Sequence, residues 1–186
     1  MKQVRSILVL VAIGPWIGLA EPVPCATNPD SRQLDYWVGD WVVTKPGVPG
    51  SSTSKVDLSL DKCMVVESWT DGKGHNGENM FAYSPDDKSW HGMFVDNRGH
   101  AHVFAEGKVA GGTAEFDGPS RGENGETVLN RIKVVRLAPG KVAQTWEKST
   151  DNGITWTTVF RGEYSRVASK AGQLHPITEH SPAGGR

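Results

Sequence analysis

The sequence predicts an all-β protein, an antiparallel up-and-down β-barrel of about ten strands. Three observations predict it. Apolar and polar residues alternate with period two through most of the chain, the pattern of strands with one buried face. Short turn sequences separate these runs, such as Asp96-Asn97-Arg98-Gly99, Ala138-Pro139-Gly140 and Asp151-Asn152-Gly153. Beyond the N-terminal segment, no stretch keeps a helical period for longer than a turn or two. A meander of many short strands loses its edges by closing on itself; a two-sheet sandwich is the alternative arrangement.

The chain has 186 residues, enough for one domain with a sizeable core. Residues 1–20 combine a basic start (Lys2, Arg5), an apolar run from Ile7 and a Gly18-Leu19-Ala20 ending, the pattern of a secretory signal peptide cleaved after Ala20. An uncleaved anchor is the alternative, but the run is short for a bilayer span and contains Pro15. Loss of Lys2 and Arg5 would move the net charge from −1 to −3, which points to neither nucleic acid nor an anionic membrane as a partner. Residues 21–33 read as a lead-in, with a short helical cap over 31–36.

The barrel domain is expected over residues 34–167, with strands at 37–44, 53–60, 64–70, 78–83, 89–95, 100–106, 113–116, 127–137, 142–148 and 155–164. The connectors 45–52 and 117–126 are longer and rich in Gly, and are expected to be mobile loops. Residues 168–186 turn polar with Gly and Pro and read as a disordered tail. Cys25 and Cys63 are the two cysteines; an even count in an exported chain predicts a disulfide. Pro24 stands where a lipidation site takes a small residue, so Cys25 is not read as a lipid anchor.

Ser149-x-Asp151-x-Gly153-x-Thr155-Trp156 resembles the Asp-box of sialidase-type propellers. Propellers repeat the box once per blade, whereas this chain has one good copy and a degraded second at 84–90. The box is therefore read as a local turn, with Ser149 and Asp151 bonding to backbone N–H groups.

Gly39-Asp40-Trp41 resembles the Gly-x-Trp signature of the lipocalin (calycin) families, in which the Trp closes one end of the barrel beneath a basic residue from the last strand. Arg166 shares strand phase with Phe160 and Tyr164 and is the expected partner of Trp41, ahead of Arg161. The ordered blocks Cys25, LDYWVGDW, CMVVESW, SWHGMFVD, QTWEKSTDNGITW and YSR are similar to a family of exported bacterial proteins of unknown function. That resemblance covers Cys25 to Arg166 and implies a lipocalin-like barrel and a periplasmic or extracellular location; it implies no activity. Asn152 and Val134 depart from the family pattern without touching the fold.

Alternate residues of a strand share a face, so Glu67 goes with Trp69, Gln144 with Trp146, and Trp90 with Phe94. If the aromatic faces line the lumen, these residues form a ligand site. Arg131 is a further candidate, although Ile132 and Val134 favour the opposite face of its strand. A buried Glu67 needs Arg131 or Gln144 as a partner, or a raised pKa. The expected function is the binding of a small hydrophobic or amphipathic molecule by a monomer or weak dimer. An isomerase or cyclase using Glu67 as acid or base is one alternative, and a structural or partner-binding envelope protein with a filled core is another. His100-x-His102, with His91 across the Asp96 turn, is too loose a pattern for a metal site; no cofactor and no metal is expected. No nucleophile elbow is present.

Overall fold

A computed structural model describes residues 24–168. The expected signal peptide and nearly all of the expected tail lie outside the described residues. Ten antiparallel strands form a closed barrel in which each strand pairs with its neighbours in sequence and the first closes on the last. They are β1 (Gly39–Lys45), β2 (Val48–Ser59), β3 (Met64–Thr70), β4 (Asn76–Ser84), β5 (Ser89–Asp96), β6 (Ala101–Ala110), β7 (Thr113–Arg121), β8 (Thr127–Ala138), β9 (Lys141–Ser149) and β10 (Thr157–Arg166). The alternation that predicts them is also what the barrel uses. On β8, Val128, Asn130, Ile132 and Val134 are buried, while Leu129, Arg131 and Lys133 are only partly so.

Two expected loops are shorter than predicted, because strands take up residues 48–52 and 117–121 and leave only 46–47 and 122–126 between strands. Lys45 pairs with Val48, so Pro46 and Gly47 alone make the β1–β2 turn and β2 begins immediately after it. β7 runs on to Arg121, with Gly118 opposite Asn130 and Pro119 opposite Leu129. Gly118 permits this extension: a Cβ there would lie 2.0 Å from the Val103 carbonyl oxygen of β6. In the other direction, β1 begins at Gly39 rather than residue 37, because Trp37 belongs to a 3₁₀ turn. β10 begins two residues later than expected because Trp156 belongs to the preceding loop.

The N-terminal segment plugs one end. A helical turn (Pro24–Thr27) and two 3₁₀ turns (Asp30–Arg32 and Asp35–Trp37) replace the single expected cap. They bring Leu34 and Trp37 onto the barrel core, where both are fully buried. Trp41 Nε1 donates to the Trp37 carbonyl at 2.9 Å, Trp90 Nε1 to Gln33 Oε1 at 3.1 Å, and Tyr83 Oη to Asp30 Oδ2 at 3.3 Å. The Cys25–Cys63 disulfide ties this plug to the β2–β3 turn. Among the described residues, no helix is long and apolar enough to cross a membrane.

The Gly-x-Trp motif has a steric explanation here. The Arg166 guanidinium sits 4.4 Å from the centre of the Trp41 ring and donates to the carbonyls of Val38 (2.7 Å) and Tyr36 (3.3 Å). A Cβ on Gly39 would lie 2.0 Å from Arg166 Nη1, and Gly39 has φ +141°. Gly39→Ala is therefore expected to strain the backbone and evict the guanidinium, at a cost of about 2 kcal/mol or more. Urea unfolding measures it; a midpoint equal to the wild type would overturn the assignment.

Candidate ligand-binding site

The end opposite the plug is open. Its mouth is ringed by the β1–β2, β3–β4, β5–β6, β7–β8 and β9–β10 connections, and the lumen beneath forms a cavity of about 540 Å³. That is within the range of small-molecule sites, roughly 300–1,000 Å³. Strand phase decides what lines it. Glu67 and Trp69 of β3, Asn79 of β4, Phe94 of β5, His102 of β6, Gln144 and Trp146 of β9 and Phe160 of β10 all turn inward. The aromatic walls are packed edge to face, with Phe94 and Trp146 at 4.9 Å between ring centres, His102 and Trp146 at 4.8 Å, and Trp69 and Phe160 at 6.2 Å.

Glu67 lies at the floor with no solvent exposure. Its Oε1 is 2.8 Å from both Ser54 Oγ and Tyr164 Oη; its Oε2 accepts from Asn79 Nδ2 at 2.8 Å and Gln144 Nε2 at 3.2 Å. Tyr164 Oη is also 2.7 Å from Gln144 Oε1. Glu67, Tyr164 and Gln144 thus close a ring of three contacts, and each contact needs a hydrogen. The tyrosine supplies one. The Gln144 amide supplies one, because whichever way it is turned only its nitrogen end donates. The third must come from Glu67. The ring is therefore that of the carboxylic acid: Glu67 donates to Tyr164, and Tyr164 donates to Gln144. Burial acts in the same direction, raising the Glu67 pKa against the lowering effect of the hydrogen bonds that Ser54, Tyr164, Asn79 and Gln144 would offer the ionised carboxylate. The ring joins β3 to β9 and β10 across the barrel. It divides the cavity from the packed lower core, where Tyr164 meets Trp37 and Trp41 edge to face.

Three buried polar atoms around the cavity have no partner: Asn79 Oδ1, Trp69 Nε1 and His102 Nδ1. Such groups are rare in folded proteins unless water or a ligand satisfies them. Burial, with the neighbouring His100 adding to it, lowers the His102 pKa and favours the neutral imidazole. At the mouth, Asp96 lies between His75 Nε2 (3.1 Å) and His100 Nδ1 (2.8 Å), and accepts from the backbone N–H groups of Arg98 and His100. Burial works to raise the Asp96 carboxyl, but these bonds outweigh it and hold the group well below the usual carboxylate range.

The structure brings together four of the six sequence-predicted site residues: Glu67, Trp69, Gln144 and Trp146. Trp90 faces the lumen but lies at the plugged end, near the start of β5, under Gln33. Arg131 is corrected to the outer face. It pairs with Glu147 there at 2.9 Å and stacks 4.0 Å over the Trp156 ring, because Asn130 and Ile132 take the inward phase of β8. His91 is likewise not beside the other imidazoles: it sits at the far end of β5 against Asp87. Among the described residues, no group of three or more His, Cys, Asp or Glu is arranged to hold a metal ion.

Sequence reasoning missed Asn79, Tyr164, Phe160 and the lumen-facing Lys45 as members of this site. Asn79 shares phase with Phe81, so its direction was readable; its contact with Glu67 depends on strand pairing. The Asp-box is a local turn. Gly153 N–H donates to Ser149 Oγ (2.9 Å) and Trp156 Nε1 to the Gly153 carbonyl (3.0 Å). Bonds from the Thr155 side chain and backbone and from Ser149 bring the Asp151 carboxyl down to about 2.

Compared with known proteins, the chain matches no family model and no curated sequence.

Proposed function

We propose that the protein is an exported barrel, monomeric or weakly dimeric, that binds a small hydrophobic or amphipathic molecule in the open end of its lumen. The observation that carries this reading is the 540 Å³ cavity, walled by Trp69, Phe94, Trp146 and Phe160, with unpartnered polar atoms on Asn79, Trp69 and His102. Such a site combines apolar contact area with a few groups that select orientation. An oxidised Cys25–Cys63 pair fits the oxidising compartments reached by export, periplasmic or extracellular.

The cavity weighs against a filled core. The Glu67 ring weighs against the isomerase or cyclase alternative, because four protein groups already occupy both carboxyl oxygens.

Native mass spectrometry of the mature chain, purified from an oxidising compartment, tests the reading. The expected result is an adduct that leaves on unfolding, and a melting temperature that rises when the molecule is added back; ligand at 100 times Kd adds about 2.7 kcal/mol. A bare chain whose melting temperature no panel of lipids and metabolites moves would overturn it.

A further inference from the structure

The charges at the cavity are sorted by depth. The inner lining is neutral: Glu67 is held as the acid, His102 as the free imidazole, and Asn79, Asn130 and Gln144 are amides. The mouth is cationic. Lys45 shares inward phase with Trp41 and Val43, and Lys148 shares it with Gln144 and Trp146. Each is the last lumen-phase residue of its strand, and β1 and β9 flank β10, so the two lysines stand on either side of Phe160.

Lysine is an unexpected choice for a lumen-facing position. The outer face of the same strand would give an ammonium full hydration. Lys45 Nζ instead lies 5.2 Å from the centre of the Trp69 ring and 5.1 Å from that of Phe160. Among the described residues, neither lysine takes part in an ion pair. Arg98 adds a third cation at the rim, where the partly exposed Asp71 carboxylate feels its charge. The one carboxylate lining the mouth, Asp96, is already engaged by His75, His100 and two backbone N–H groups. Three cations against two carboxylates, Asp96 and Asp71, leave the mouth with a net positive charge directly above apolar walls, carried by Lys45 and Lys148.

We infer that the ligand is an amphipathic organic anion, its apolar body lying between Trp69, Phe94, Trp146 and Phe160 and its anionic head held at the mouth by Lys45 and Lys148. The inference rests on the cavity being a ligand site and adds the charge and orientation of what it takes. A cationic ligand would meet like charge at the mouth. A neutral one would leave both lysines without a role.

Two fluorescent probes with one ring system separate the two claims. N-phenyl-1-naphthylamine is neutral, and 8-anilinonaphthalene-1-sulfonate carries a single anionic head on the same skeleton. The wild type is expected to bind the sulfonate at least about tenfold more tightly than the neutral probe at low salt, an advantage that shrinks as salt screens the mouth. Lys45→Gln with Lys148→Gln should lower sulfonate affinity by about tenfold or more while leaving the neutral probe unchanged. Lys45→Arg with Lys148→Arg should retain it, and both pairs sit at the rim, so unchanged melting temperatures certify their folds. Displacement of the sulfonate by 1-naphthoate or by decanoate supports the inference and tells an aryl from an aliphatic body. Equal binding of both probes, unaffected by the lysine changes, would overturn the anion inference and leave the cavity reading standing. Binding of neither probe would overturn both.

Discussion

Glu67→Gln is expected to be almost silent in acid, at and below about pH 4, within about 1 kcal/mol of the wild type, and to be the more stable of the two at neutral pH, whereas Glu67→Ala is expected to cost about 3 kcal/mol or more in acid. The difference follows from the proton count. A glutamine amide can occupy the position of a protonated carboxyl: its nitrogen end donates to Tyr164, and its oxygen end accepts from Asn79 and Gln144. Alanine strands Ser54, Asn79, Gln144 and Tyr164 together, all buried groups. Were the wild-type group ionised, Gln would lose a charge held by four hydrogen bonds and would be the costly substitution.

A protonated Glu67 also makes the stability of the fold depend on pH. The folded pKa of Glu67 is raised above its unfolded value. Between the two values, the native state keeps a proton that the unfolded chain has released. Glu67's contribution is therefore complete below the unfolded pKa of about 4.3 and is lost as pH rises towards the folded value, at about 1.4 kcal/mol per pH unit within that window. The depressed carboxyls Asp96, Asp87 and Asp151 have the opposite sign, and their contributions fade in acid. Asp117, half-buried and raised by burial, shares the sign of Glu67. Subtracting the Glu67→Gln stability profile from that of the wild type cancels these other groups. Urea midpoints for both proteins across the pH range should converge in acid and separate above the unfolded pKa, with the wild type falling faster. Parallel profiles would show that Glu67 does not hold the proton.

Breaking the Cys25–Cys63 bridge is expected to cost about 4 kcal/mol, the loop-closure entropy restored to the unfolded chain by opening a crosslink across 38 positions. The loss falls on a specific part of the molecule. The bridge holds the helical turn that carries the 3₁₀ turns, and these bury Leu34 and Trp37 against Trp41. Cys25→Ser with Cys63→Ser and reduction of the wild type should lower the urea midpoint equally. The cavity lies at the other end of the barrel, so a bound probe should remain in place below the unfolding transition. A change below about 1 kcal/mol would mean that the plug holds without its crosslink.

The closed barrel and its strand order were legible because they follow from local rules. Alternation marks strands, tight turns join neighbours, and an antiparallel meander needs no long-range decision except its own closure. Trp41 and Arg166 could be paired from phase and resemblance. The failures were equally specific. The 45–52 and 117–126 segments looked like loops because glycine and proline usually interrupt strands, yet Gly118 is what lets β7 pass close to β6. Trp90 was placed in the ligand site because phase says which face a residue takes and nothing about its height along the barrel.

Local sequence accounts for the alternation, the turns, the cysteine pair, and the inward phase that Glu67, Gln144 and the tryptophans share. Which end is plugged, which residues meet at the floor, and the proton on Glu67 all depend on the closed barrel. Glu67 and Tyr164 are 97 positions apart, and Glu67 and Gln144 are 77. A period-2 pattern carries no information across such separations. The contact between them is set by strand register around a closed barrel, and the protonation follows from counting hydrogens in a ring that exists only once the barrel has closed.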